Sequence, residues 1–181
     1  MRLLRLVAPV LLMMGLSSAA LADSMRYFSY DADSDSAKWR TGDVTIALRK
    51  GILSRRIDVL FRRKGSDLPL IPSDAPFQVS DMRDILRGYD ADGVKLYGVE
   101  PKAGSKFMPM ACQGKADKAW IAVSNPKPYK KLFVWVVRWD DQAKKPALCV
   151  EMHYRFRGEW QFPPKPNRAA EEAPYSSNAA H

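Results

Sequence analysis

Apolar and polar positions alternate along much of this chain. Val44, Ile46 and Leu48 interleave with Thr45, Ala47 and Arg49, and Ile57, Val59 and Phe61 with Asp58, Leu60 and Arg62. A period of two is the spacing of a half-buried strand, and Lys50-Gly51 between the two runs predicts a hairpin. Val94 to Val99, Phe107 to Cys112, Ala119 to Val123, Lys131 to Trp139 and Ala147 to Arg157 read as further strands. Turns are predicted at Asn125 to Pro128 and at Asp140 to Pro146, the second joining an antiparallel hairpin.

One stretch follows a helical period. Ser80 is a natural N-cap, Asp81 and Asp84 suit a first turn, and Met82, Ile85, Leu86 and Tyr89 share a face before Gly88 ends the element. Asp23 to Gly42 is polar and turn-rich, and Leu68 to Pro76 carries three prolines, so both read as irregular connections. The pattern predicts a mainly β fold: an antiparallel β-sandwich or small barrel-like sheet of about eight strands with one short helix.

The last two strands carry the most side-chain information. In the strand from Ala147, Leu148, Val150, Met152, Tyr154 and Phe156 fall on one face, assigned to the core. Cys149, Glu151, His153, Arg155 and Arg157 fall on the other. The preceding strand is apolar on both faces, with Phe133, Trp135, Val137 and Trp139 on one side and Leu132, Val134 and Val136 on the other. Such a strand is either covered on both sides or exposes an aromatic surface for a partner. An ionisable row beside an aromatic row makes Glu151, His153, Arg155, Arg157, Trp135 and Trp139 the candidate ligand- or partner-binding residues.

The first residues change where this chemistry operates. Arg2 and Arg5 precede an apolar run from Leu6 to Leu16, and Ala20-Leu21-Ala22 is a small-x-small cleavage site. That order is a secretory signal peptide at 1–22. The mature protein is expected as a single β-rich domain over 23–162, periplasmic or secreted, with a disordered, proline-led tail at 163–181. No later apolar stretch approaches the roughly 20 residues of a membrane-spanning helix. Export makes Cys112 and Cys149 a disulfide pair.

Charge adds a second surface. The chain has 29 Lys and Arg against 20 Asp and Glu, a net charge of +9. Arg55, Arg56, Arg62, Arg63 and Lys64 concentrate around the first hairpin as a basic patch, either facing anionic envelope polymers or lipids or guarding strand edges. Expected partners are therefore an envelope protein or an anionic envelope polymer; export argues against nucleic acid.

Two further arrangements bear on metal binding. A strand at Phe107 to Cys112 linked through the disulfide to the one from Ala147 would let Met108, Met110 and His153 converge as thioether and imidazole ligands suited to copper. Asp31, Asp33 and Asp35 begin like a calcium loop, but Ser36 and Gly42 stand where the motif requires Gly and Glu. No nucleotide-binding or catalytic motif is present, and no cofactor is expected. The leading expectation is an exported, soluble, non-catalytic binding protein of the bacterial envelope working through its C-terminal hairpin. A periplasmic copper handler and a small secreted hydrolase are the alternatives.

Overall fold

The computed structural model describes residues 24–50, 55–114 and 118–160. The predicted signal peptide and C-terminal tail lie outside the described residues. Eight strands form a closed antiparallel barrel in simple sequence order: β1 Ser24–Ala32, β2 Val44–Lys50, β3 Arg55–Arg62, β4 Leu68–Pro72, β5 Val94–Val99, β6 Ala119–Ser124, β7 Leu132–Asp140 and β8 Lys145–Trp160. Each pairs with its sequence neighbours, and β8 returns to β1. Of the two expected architectures, the barrel is the one formed; closure abolishes the edges that an open sheet would expose. Helices α1 (Asp35–Arg40), α2 (Arg83–Leu86) and α3 (Pro101–Ala111) lie in the connections.

The structure differs from the sequence pattern in several places, each with a local cause. Residues 24–40 are ordered elements. Phe28 and Tyr30 of β1 point into the barrel, and Ser34 caps α1 by accepting a hydrogen bond from the Ala37 amide at 3.2 Å. Leu68–Pro72 is a strand despite its prolines, because it makes only short ladders: Leu68 and Pro69 pair with β3, and Leu70 to Pro72 with β5. The expected strand at Phe107 to Cys112 is instead the C-terminal part of α3 and the residue after it. Phe107, Met108, Ala111 and Cys112 are buried while Met110 is exposed, a helical spacing, and Pro101 opens the helix where its missing N–H is harmless.

The remaining differences are β-bulges. In β3, Leu48 pairs with Ile57 but Ala47 with Val59, so Asp58 is an extra residue and Leu60, not Val59 or Phe61, joins Ile57 in the core. The same happens in β8. Val136 pairs with Val150, but Val137 pairs with Leu148, so Cys149 is an extra residue. Strict alternation therefore fails there. Val150, Met152 and Tyr154 face the barrel interior as expected, whereas Leu148 points outward and packs against the outer apolar layer. Cys149 turns inward to Cys112 and forms the predicted disulfide, with Cα atoms 4.6 Å apart.

The barrel interior is filled by side chains. Phe28, Tyr30, Ile46, Leu48, Leu60, Leu68, Ile121, Leu132, Val134, Val136, Met152 and Tyr154 form one continuous cluster. At the lower rim, α1 and α3 close it. Arg40 Nη1 donates to the Met110 carbonyl at 2.7 Å, the Thr41 and Tyr154 hydroxyls lie 2.8 Å apart, and Arg62 stacks over Phe107 at 4.6 Å. Burial pushes the Tyr154 phenol well above its ordinary pKa. α1 also runs along the part of β8 that β1 does not reach: the Asp33 and Ser34 amides donate to the His153 carbonyl at 2.9 and 3.2 Å. Near the upper rim, β4 ends early and β3 faces β5 directly. There the Ile57 amide donates to the Tyr97 hydroxyl at 3.1 Å, and Lys95 reaches the Arg55 carbonyl.

A second apolar layer lies outside the barrel. Residues 73–93, between β4 and β5, fold back so that Phe77, Met82, Ile85 and Leu86 cover Trp120, Ala122, Trp135 and Val137. The two-faced β7 is thus covered on both sides. The disulfide ties α3 to the bulge of β8, and the chain-entropy estimate for a loop of this length is about 4 kcal/mol. Equilibrium urea unfolding of oxidised and reduced protein should show a stability loss of that order on reduction, with Cys112→Ser/Cys149→Ser matching the reduced form.

Candidate binding groove

The outer layer does not cover β6 and β7 completely. Where its first residues leave β4, an open groove of about 810 Å³ remains between that connection, the start of β6 and the β7–β8 turn. Asp74, Pro76, Lys118, Trp120, Arg138, Trp139, Asp140, Asp141 and Gln142 line it. A second cavity of about 470 Å³, lined by Ile71, Val99, Pro101, Met108 and Pro109, shares Asp74, Lys118 and Trp120 with the first. The two form one cleft running from the β7–β8 turn to α3.

Asp74 organises the floor. Its carboxylate accepts from Lys118 Nζ at 2.5 Å and from Trp120 Nε1 at 2.9 Å. The Lys118 hydrogen bond first, then that of Trp120, holds the Asp74 carboxyl below the usual carboxylate range. Trp120 is buried, with its polar edge satisfied by this contact. Trp139 is half-buried and stacks on Phe77, with ring centroids 5.9 Å apart and planes 8° apart. Arg138 Nη2 donates to Asp140 at 3.2 Å. The Asp140 carboxyl is also held low, chiefly by the Ala143 amide of the turn. The groove therefore offers an aromatic ring, hydrogen-bonding carboxylates and cations already matched to anions.

The predicted site residues separate into distinct environments. Trp139 lies in the groove. Trp135 is wholly buried beneath the outer layer, its Nε1 without a hydrogen-bond partner; it is a packing residue and no ligand reaches it. Glu151 and His153 sit farther along the hairpin, 2.8 Å apart, with His153 against the Phe133 ring at 4.7 Å and Tyr89 over Phe133 at 4.3 Å. Arg157 is held by Asp31 and by Asp43, the latter at 3.3 Å, and Arg155 is exposed. The ionisable row is thus broken into local pairs and does not converge on one point.

The other constellations also come apart. Met108 packs in the barrel core, Met110 is exposed on α3, and His153 lies on the outer wall. The bulge at Cys149 and the helical form of α3 remove the shared face that the copper arrangement required. Asp31, Asp33 and Asp35 pair with Arg157, Lys131 and Lys38 respectively. Among the described residues, no group of three or more His, Cys, Asp or Glu side chains is placed to hold a metal. The basic patch is split as well: Arg55 and Arg56 start β3 at the upper rim, while Arg62, Arg63 and Lys64 lie at its far end.

Asp74, Lys118 and Trp120 were not singled out by sequence. They are far apart along the chain, and only the return of residues 73–93 over the barrel wall joins them. No protein-family model, curated protein or solved structure matches this chain.

A carboxyl with a depressed folded pKa stabilises its contacts fully above the unfolded value and loses them as pH falls through the folded one. The Trp120 indole N–H resonance should therefore shift in a titration centred below the ordinary aspartate pKa. Nuclear magnetic resonance of Asp74→Asn should lack that transition; its persistence would assign it to another group.

Proposed function

We propose that this protein is a non-catalytic binding module, exported in soluble form to the bacterial envelope. It holds a segment of an envelope partner in the groove beside the β7–β8 turn. The observation that carries this reading is the open groove itself, with Trp139 framed by Lys118, Arg138, Asp74 and Asp140. An aromatic face with convergent polar groups is the usual make-up of a recognition cleft. The barrel interior is an unsuitable alternative, because a ligand there would have to displace Leu48, Ile121, Val134 and Met152 from the core.

The charges refine the ligand. Lys118 and Arg138 already have carboxylate partners, so the groove suits a polar segment with its own hydrogen-bonding groups better than a bare polyanion. The hydrolase alternative would draw on the Glu151–His153 contact. The nearby hydroxyls are engaged: Ser34 Oγ accepts from the His153 amide at 3.0 Å, and Ser36 Oγ donates to the Glu151 carbonyl. Among the described residues, that arrangement offers an acid–base pair whose neighbouring serine hydroxyls are already hydrogen-bonded.

A photocrosslinker placed at exposed Gln142 tests the groove in the native envelope. One dominant adduct should form, disappear in Trp139→Ala and weaken in Asp141→Lys, an exposed change with little consequence for packing. An adduct unchanged in both variants would place the partner elsewhere.

A further inference from the structure

The upper rim of the barrel carries a surface unrelated to the groove. The loop between β6 and β7 lies across this rim. The Asn125 amide donates to the Gly93 carbonyl at 2.6 Å, and Pro126 is buried beside Arg55, Ile57, Lys95 and Tyr97. At its other end, Tyr129 meets Phe156 edge-on with ring centroids 5.4 Å apart. Between these anchors, Lys127, Pro128, Tyr129 and Lys130 are all exposed, Tyr129 to 90%.

Two features distinguish this loop from an ordinary polar turn. Tyr129 has φ +60°, a left-handed backbone conformation that a bulky L-residue rarely adopts. That conformation presents an aromatic ring at the apex of the loop. Its neighbours Lys127 and Lys130, and Arg55 across the rim, form no ion pair with any carboxylate of the described residues. Of the acids nearby, Asp58 is shared by Arg49 and Arg56 and Asp33 holds Lys131, while Asp90 and Asp92 keep their charge on the adjoining turn, where Asp90 accepts from the Asp92 amide.

We propose that this rim docks on an anionic lipid surface. Tyr129 would sit at head-group level, and Lys127, Lys130 and Arg55 would face the lipid phosphates. An exposed tyrosine suits the boundary between water and hydrocarbon, with an apolar ring and a wet hydroxyl. Lysines beside it extend apolar stems and keep their charge at the phosphate plane. The groove opens near the β7–β8 turn at the opposite end of β7, so such docking leaves it free for a partner.

Co-sedimentation with phosphatidylglycerol-containing and pure phosphatidylcholine vesicles tests this directly. The protein should bind the anionic vesicles, weaken as salt is raised, and leave the neutral ones unbound. Lys127→Ala/Lys130→Ala should lower partitioning about thirty-fold, the loss expected for two surface cations. Tyr129→Ala should lower it further in the same background, and Tyr129→Trp should restore it. The variants share every other residue, so attraction through any other part of the chain would leave them equal to the parent. Equal binding of parent and variants, equal binding to neutral vesicles, or no binding to anionic vesicles at low salt would each overturn the proposal.

Discussion

The structure depends on a strand with no polar face. β7 must bury Leu132, Val134 and Val136 on one side and Phe133, Trp135 and Val137 on the other. A barrel wall covers only its inner side. The outer side of an antiparallel barrel is normally wet and polar, so this sequence needs a further layer. The connection between β4 and β5 supplies it. β4 leaves the barrel early, and residues 73–93 return across β6 and β7 before β5 begins. Three features follow from that one requirement: the short β4, the direct contact of Tyr97 with β3, and the groove left where the covering layer starts.

Sequence was informative where side-chain parity runs unbroken. The strands at 44–50, 55–62, 94–99, 119–124 and 132–140 are close to their expected ranges, although within 55–62 a bulge at Asp58 sends Leu60 rather than Val59 and Phe61 into the core. The apolar character of both faces of β7 was compatible with cover on both sides or with an exposed aromatic surface, and the returning layer provides the cover. Parity failed at Asp58 and at Cys149, since a bulge puts the residues on its two sides out of step and leaves no mark in the amino-acid order. It failed also at Phe107 to Cys112, where Met108 and Met110 fit a strand spacing as well as a helical surface. Only the burial of Phe107, Met108, Ala111 and Cys112 together separates the two. The groove was hidden for a different reason. Asp74 meets Lys118 and Trp120 across 44 and 46 positions, and no local pattern encodes a contact at that separation.

The two surfaces rest on different supports. The groove is framed by rigid elements, with Trp120 in β6 and Arg138 and Trp139 in β7. Its chemistry is set by Asp74, which arrives from the covering layer. The upper rim is built on a loop, and its aromatic group is displayed by backbone conformation rather than by a strand. A rigid cleft favours one geometry of ligand, whereas a displayed side chain beside mobile lysine stems adapts to a surface without a fixed shape.

Sequential order around the barrel has a consequence for how the chain folds. Every strand pair except one joins neighbours in sequence, and most of these pairings can form early because their loops are short, the connections from β4 to β5 and from β5 to β6 being the long ones. The exception is β8 with β1, from Tyr27 opposite Trp160 to Ala32 opposite Tyr154. That single pairing spans nearly the whole described chain. Until β8 has been made, β1 has one open edge and the core has one open side. Closure is then a late, slow event, and an unfinished chain presents the edge of β1 to any other strand that meets it.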